Sequence, residues 1–153
     1  MLELLLTLHI FAAIWLIGYL INSAYWKKRA DRSGNPETVA TTTQALVKAD
    51  LIFMGPGIAG LLATGIWMGG ITGWERFQEP WLAASFILTI VIVVLWLAVL
   101  LPQQRRMAQY ATESLEGNDH SDSYQRASKL WNMVAGVVTL IPLVVLVLMV
   151  FKP

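Results

Sequence analysis

The run WLAASFILTIVIVVLWLAVLL occupies residues 81–101, and no Asp, Glu, Lys, Arg or His interrupts it. A helix rising 1.5 Å per residue needs roughly 20 such residues to cross about 30 Å of hydrocarbon. A soluble helix of this length would carry polar residues at the helical period, and this one does not. Three further runs, at residues 2–22, 51–71 and 130–151, are of similar length, with Glu3 and His9 the only residues of those five types among them. The expected fold is therefore all-α: an integral membrane four-helix bundle forming a single four-span domain over residues 1–153. Composition agrees, because 14% of the residues are charged against roughly 25% in soluble domains. Too few charges remain to solvate a surface. The first run is read as a retained helix rather than a secretion signal. It begins Met1-Leu2-Glu3 with no basic segment, and its apolar stretch exceeds the roughly 7–15 residues of a signal peptide.

The charges set a direction across the membrane. Residues 23–50 carry Lys27, Lys28, Arg29, Arg32 and Lys48, and residues 102–129 carry Arg105, Arg106, Arg126 and Lys129. The other two connections and ends contribute only Arg76 and Lys152. Nine basic residues on one side against two on the other place loops 23–50 and 102–129 in the cytoplasm, with both termini outside. This N-out/C-out arrangement points to the plasma (inner) membrane of a bacterium. Trp67, Trp74 and Trp81 mark the outer interface, and Trp26 and Trp131 the inner one. The net charge of +1 gives no sign of a nucleic-acid partner. With no cysteine, disulfides, thiolate metal sites and covalent haem attachment are excluded within the chain.

The two basic loops are themselves expected to be helical. Asn35-Pro36-Glu37 reads as an N-cap followed by Pro at the first helical position, opening a helix through Lys48 into the second span. Helix-forming residues continue from Gln103 to Glu116, with Gly117-Asn118 as a stop and Asp119 or Ser121 as the next cap. The helices thus extend into the cytoplasm.

Helices in lipid associate by close packing, so small residues mark their contacts. The second span is richest in them, including Gly57, Ala59, Gly60, Ala63, Gly65 and Gly69, which marks it as the central packing helix. Pro56 and Pro142 are expected to bend the second and fourth spans. Glu3, Asp50 and Lys152 fall near span ends, where they are expected to reach water.

His9 is different, because it lies roughly 10 Å into the first span, where polar groups are costly and usually face the bundle interior. Ala12 and Ala13 share its face, small enough to admit a neighbouring helix or a planar macrocycle. Three roles compete. His9 is an axial ligand to haem iron, or a hydrogen-bonding partner to a neighbouring helix at Thr64, Ser85 or Thr89, or a proton relay or quinone contact. No second in-membrane histidine exists. His120 reads as a solvated loop residue, while Met68 and Met149 lie at the outer ends of their spans. No phosphate loop, Ser–His–Asp set or embedded carboxylate pair is present, so a self-contained ion transporter is disfavoured.

The stretch Leu8-His9-Ile10-Phe11-Ala12-Ala13-Ile14-Trp15-Leu16-Ile17-Gly18 resembles the first helix of the bacterial integral membrane proteins called domain of unknown function family 2269. Pro56 and Gly65, Pro102-Gln103-Gln104-Arg105-Arg106, and the ending Phe151-Lys152-Pro153 fit the same family. More distantly, the chain is similar to membrane-embedded protoporphyrinogen IX oxidases and copper-resistance D-like membrane domains. The oxidase resemblance implies haem b bound through the first-span histidine, here His9. It also implies a lysine early in the third span after a Pro-Trp pair. Here Pro80-Trp81 is followed by Leu82-Ala83-Ala84-Ser85-Phe86, with no lysine. That departure weighs against oxidase activity and leaves haem ligation open.

The leading expectation is a haem b-binding or redox-associated membrane protein. His9 is the metal ligand, and Ala12 and Ala13 lie against the cofactor. The alternative is a non-catalytic subunit or assembly factor. Beyond the lipid bilayer, its partners would be further copies of itself or a larger membrane complex. Whether the chain is an enzyme stays open.

Overall fold

The computed structural model describes residues 1–117 and 121–152. The expected stop at Asn118, the cap at Asp119 and the loop histidine His120 lie outside the described residues. Four helical rods make up the fold, each long and apolar enough to cross a membrane. The first is α1 (Leu2–Ser33). The second joins α2 (Pro36–Ala49) to α3 (Gly55–Thr72). The third joins α4 (Pro80–Leu95) to α5 (Leu101–Leu115), and the fourth is α6 (Ser121–Phe151). Many large apolar side chains, among them Leu4, Ile14, Val94 and Val150, point away from the protein. In water such a surface would aggregate; in a bilayer it is the surface that lipid covers.

Local chemistry explains where the rods start and stop. Gly34 ends α1 in the left-handed conformation, at φ 64°, which costs glycine little. The Asn35 side chain then accepts from the backbone N–H groups of Glu37 and Thr38, capping α2 as the sequence implies. At the other end of the bundle a short 3₁₀ turn, Trp74–Gln78, connects α3 to α4.

The joints inside the second and third rods follow one rule. Proline lacks an N–H and crowds the preceding turn, so a helix must adjust on its N-terminal side. Before Pro56 the chain forms a π-helical turn over Asp50–Met54, and before Pro102 another over Trp96–Leu100. The wider turn is closed by Gly55 N–H to Asp50 O in one case and Leu101 N–H to Trp96 O in the other. The sequence reading anticipated an effect of Pro56 and none at Pro102. Across Pro142, α6 stays helical from Ser121 to Phe151.

Packing is uneven along the bundle. One buried cluster gathers Leu16 and Leu20 with Met54, Ile58, Ile92, Trp96, Trp131 and Val138. All of these lie in the half nearer the basic loops. Along the spans the closest pairs are α1 with α3 and α4 with α6; α1 also meets α6, while α3 and α4 do not come comparably close. This differs from the expectation that the second span packs centrally. Its glycines serve mainly one neighbour. A Cβ on Gly60 would sit 3.3 Å from the Ala12 Cβ, and one on Gly57 would sit 3.4 Å from Trp15 and 3.5 Å from Leu16. Such gaps let two backbones approach closely.

Replacing Gly60 by leucine forces α1 and α3 apart and should cost about 1–3 kcal/mol of stability. Gly70→Leu, where nothing lies within 4 Å, should cost little. Thermal unfolding of the two variants in detergent checks this; equal melting temperatures would contradict the packing described.

Candidate functional site

The first candidate builds outward from His9. Its helical spacing puts it on the row of Leu5, Leu16 and Leu20, all buried, so it faces the bundle interior. The half-buried ring meets α3. His9 Nδ1 lies 2.8 Å from Thr64 Oγ1. The Thr64 hydroxyl also lies 2.6 Å from Gly60 O and 3.2 Å from Leu61 O of its own helix. When its one hydrogen goes to Gly60 O, Oγ1 accepts from histidine and Nδ1 carries the proton; when it goes to Nδ1, the imidazole is the acceptor. The first arrangement leaves the lone pair on Nε2. The ring packs over Gly65, where a Cβ would stand at ordinary van der Waals distance, 3.5 Å from His9 Cε1.

Of the three partners weighed for His9, Thr64 is the one it meets. Ala12 abuts Gly60 at the α1–α3 seam, and Ala13 is half-buried. Met68 and Met149 are half-buried toward the ends of α3 and α6 that lie away from the basic loops. Among the described residues, no group of three or more His, Cys, Asp or Glu side chains is arranged to hold a metal ion. One imidazole nitrogen is what the site offers.

The second candidate was missed by the sequence reading. Asp50 does not reach water; it is 2% exposed. Its carboxylate accepts from the Tyr19 hydroxyl through Oδ1 and from Trp96 Nε1 at 2.9 Å through Oδ2. The Gln104 side chain lies beside the same group, buried, with its Oε1 lacking a hydrogen-bond partner. The correction has a physical origin. Asp50 and Trp96 are the first residues of the two π-helical turns, so the proline joints bring acceptor and donor together. Tyr19 reaches the same carboxylate from α1, and Phe53 stacks on its ring with centroids 5.6 Å apart. Trp15 Nε1 donates to Phe53 O at 3.1 Å, occupying a carbonyl of the distorted turn.

A third polar cluster lies nearer the basic end. Lys27, with 0% side-chain exposure, pairs with Asp31 at 2.5 Å and donates to Ser128 at 2.6 Å. The Tyr124 hydroxyl donates to the other oxygen of Asp31 at 2.7 Å, and the Trp131 ring lies 5.3 Å from the ammonium. The sequence count treated Lys27 simply as one of the basic loop residues. Instead it ties α1 to α6. Removing Asp31 would leave the fully buried Lys27 ammonium without its counter-charge, the costly side of breaking such a pair.

With this geometry in place, the comparisons with known proteins identify the family. The chain belongs to the family described as "Predicted integral membrane protein (DUF2269)", whose pattern matches residues 3–153. No curated protein and no solved structure matches it.

Asp50→Ala leaves two buried donors unsatisfied and should cost about 2–4 kcal/mol. Asp50→Asn keeps one acceptor oxygen and should fall between wild type and alanine. Unfolding free energies in bicelles give the order; an Asp50→Ala protein as stable as wild type would show that the carboxylate is not anchored as described.

Proposed function

We propose that this member of the family is a haem b-binding membrane protein with His9 as axial ligand. One observation carries the reading: the 2.8 Å contact between Nδ1 and Thr64 Oγ1 orients the ring, and with Nδ1 as its donor the ligand lone pair sits on Nε2. Histidines that bind metals commonly donate their other ring N–H to an oxygen acceptor, which fixes the tautomer and strengthens the ligand. His9 faces inward in the half of the bundle that holds no part of the buried cluster. Ala13, half-buried, keeps the same helical face short beside it, while Ala12 is occupied in packing against Gly60.

Haem b, when bound, supplies one-electron redox chemistry. The residues of the chain do the rest. Thr64 holds the ring, which packs over Gly65. The absence of a lysine after Pro80-Trp81 separates this site from the oxidase pattern. The nine-to-two division of basic residues supports a reading in which the basic end lies in the cytoplasm of a bacterial cell and His9 nearer the outer face. A C-terminal alkaline phosphatase fusion, active only outside the cytoplasm, reads this directly.

A second reading rests on the tight α1–α3 seam, where Ala12 meets Gly60 and His9 is already hydrogen-bonded to Thr64. Under it His9 is interhelical glue, and the chain is a non-catalytic subunit of a larger complex.

A reduced-minus-oxidised visible spectrum of protein expressed with ample haem separates the two. Wild type should show a b-type band that His9→Ala abolishes. Thr64→Val should retain the band with haem affinity lowered about 10-fold, the usual scale for losing such a supporting bond. A colourless wild type, or a band unchanged in His9→Ala, would remove the haem reading.

A further inference from the structure

We infer that the groove between α1 and α2 seats one anionic phospholipid from the leaflet at the basic end of the bundle. The groove has a volume of about 750 Å³ and is independent of the His9 site, because it is lined by the opposite, outward face of α1. Its deeper part is apolar. Trp15 and Phe53 form walls there, and Gly18 leaves the floor open, with nothing within 4 Å of where a Cβ would stand. That slot suits an acyl chain.

Toward the basic end the lining changes character. Asn22 and Thr42 offer hydrogen-bonding groups, and Trp26 forms the rim. The spacing Asn22, Trp26, Arg29 continues one helical row, and the Arg29 guanidinium lies 5.6 Å from the centre of the Trp26 ring. A cation is thus fixed at the mouth of an apolar slot. Glu37, the carboxylate in the first turn of α2, lies one helical turn before Thr41 and further from the apolar layer. The sequence spans put Gly18 inside the apolar layer and Trp26 just past its end, which is headgroup depth.

These features match one ligand chemistry: two apolar tails with an anionic phosphate at one end. Basic side chains at this level attract anionic headgroups at about 1 kcal/mol each. A zwitterionic lipid gains the slot without that attraction. A quinone would gain the slot and the aromatic walls while leaving Arg29 unused.

The test is native mass spectrometry on delipidated protein given equal amounts of phosphatidylglycerol and phosphatidylcholine with identical chains. One phosphatidylglycerol should be retained in preference by about fivefold, the factor that 1 kcal/mol gives. Arg29→Gln should remove the preference, and Gly18→Leu should reduce retention of both lipids, with circular dichroism confirming that each variant stays helical. Equal retention by wild type, or a preference that survives Arg29→Gln, would overturn the proposal. Displacement by ubiquinone regardless of headgroup would also overturn it and assign the groove to a quinone.

Discussion

The Asp50 carboxylate holds the bundle together where its rods would otherwise diverge. Inside a bilayer no water stands ready to satisfy a polar group, so the protein must supply each partner itself. Asp50 is satisfied by Tyr19 from α1 and Trp96 from the third rod, and so one side chain on the second rod links three of the four. The link exists because Pro56 and Pro102 each force a π-helical turn, and the first residues of those turns are Asp50 and Trp96. Helix geometry, hydrogen bonding and rod placement are therefore one problem. Substituting either proline would be felt at the carboxylate before it was felt in the lipid.

The same node explains why the bundle is asymmetric. The buried cluster that includes Leu16, Met54, Ile92 and Trp131 surrounds the node and continues toward Lys27 and its partners. The other half has the small residues of α3, which close the α1–α3 seam, but no part of the shared cluster. The half nearer the basic loops holds the shared cluster, and the other holds an inward histidine bonded to Thr64. The proposed haem site and the proposed lipid groove both follow from that division, on opposite faces of α1.

Much of this was legible in the sequence. Four uninterrupted apolar runs permit little besides spanning helices. Asn35-Pro36 announced the start of α2, and depth alone marked His9 as an inward residue with Thr64 among its candidate partners. Asp50 was misread because its position at the edge of a run suggests access to water. Its burial depends on Tyr19 and Trp96, which lie 31 and 46 residues away in the chain. Lys27 escaped notice for the same reason, since Ser128 is 101 residues distant. The glycines of the second span were seen as contact markers, but which neighbour they serve is decided by tertiary packing that no local pattern encodes. Nor could proline in the sequence alone distinguish a bend from a π-helical turn.

The central claim is that Asp50 and Trp96 are energetically coupled across two rods, and a double-mutant cycle measures that coupling. Unfolding free energies of Asp50→Asn, Trp96→Phe and the double variant, taken in one bicelle composition, should give a coupling of about 1–2 kcal/mol. Additivity to within about 0.3 kcal/mol would mean that the two side chains do not hold each other, and the account of what organises this bundle would be wrong.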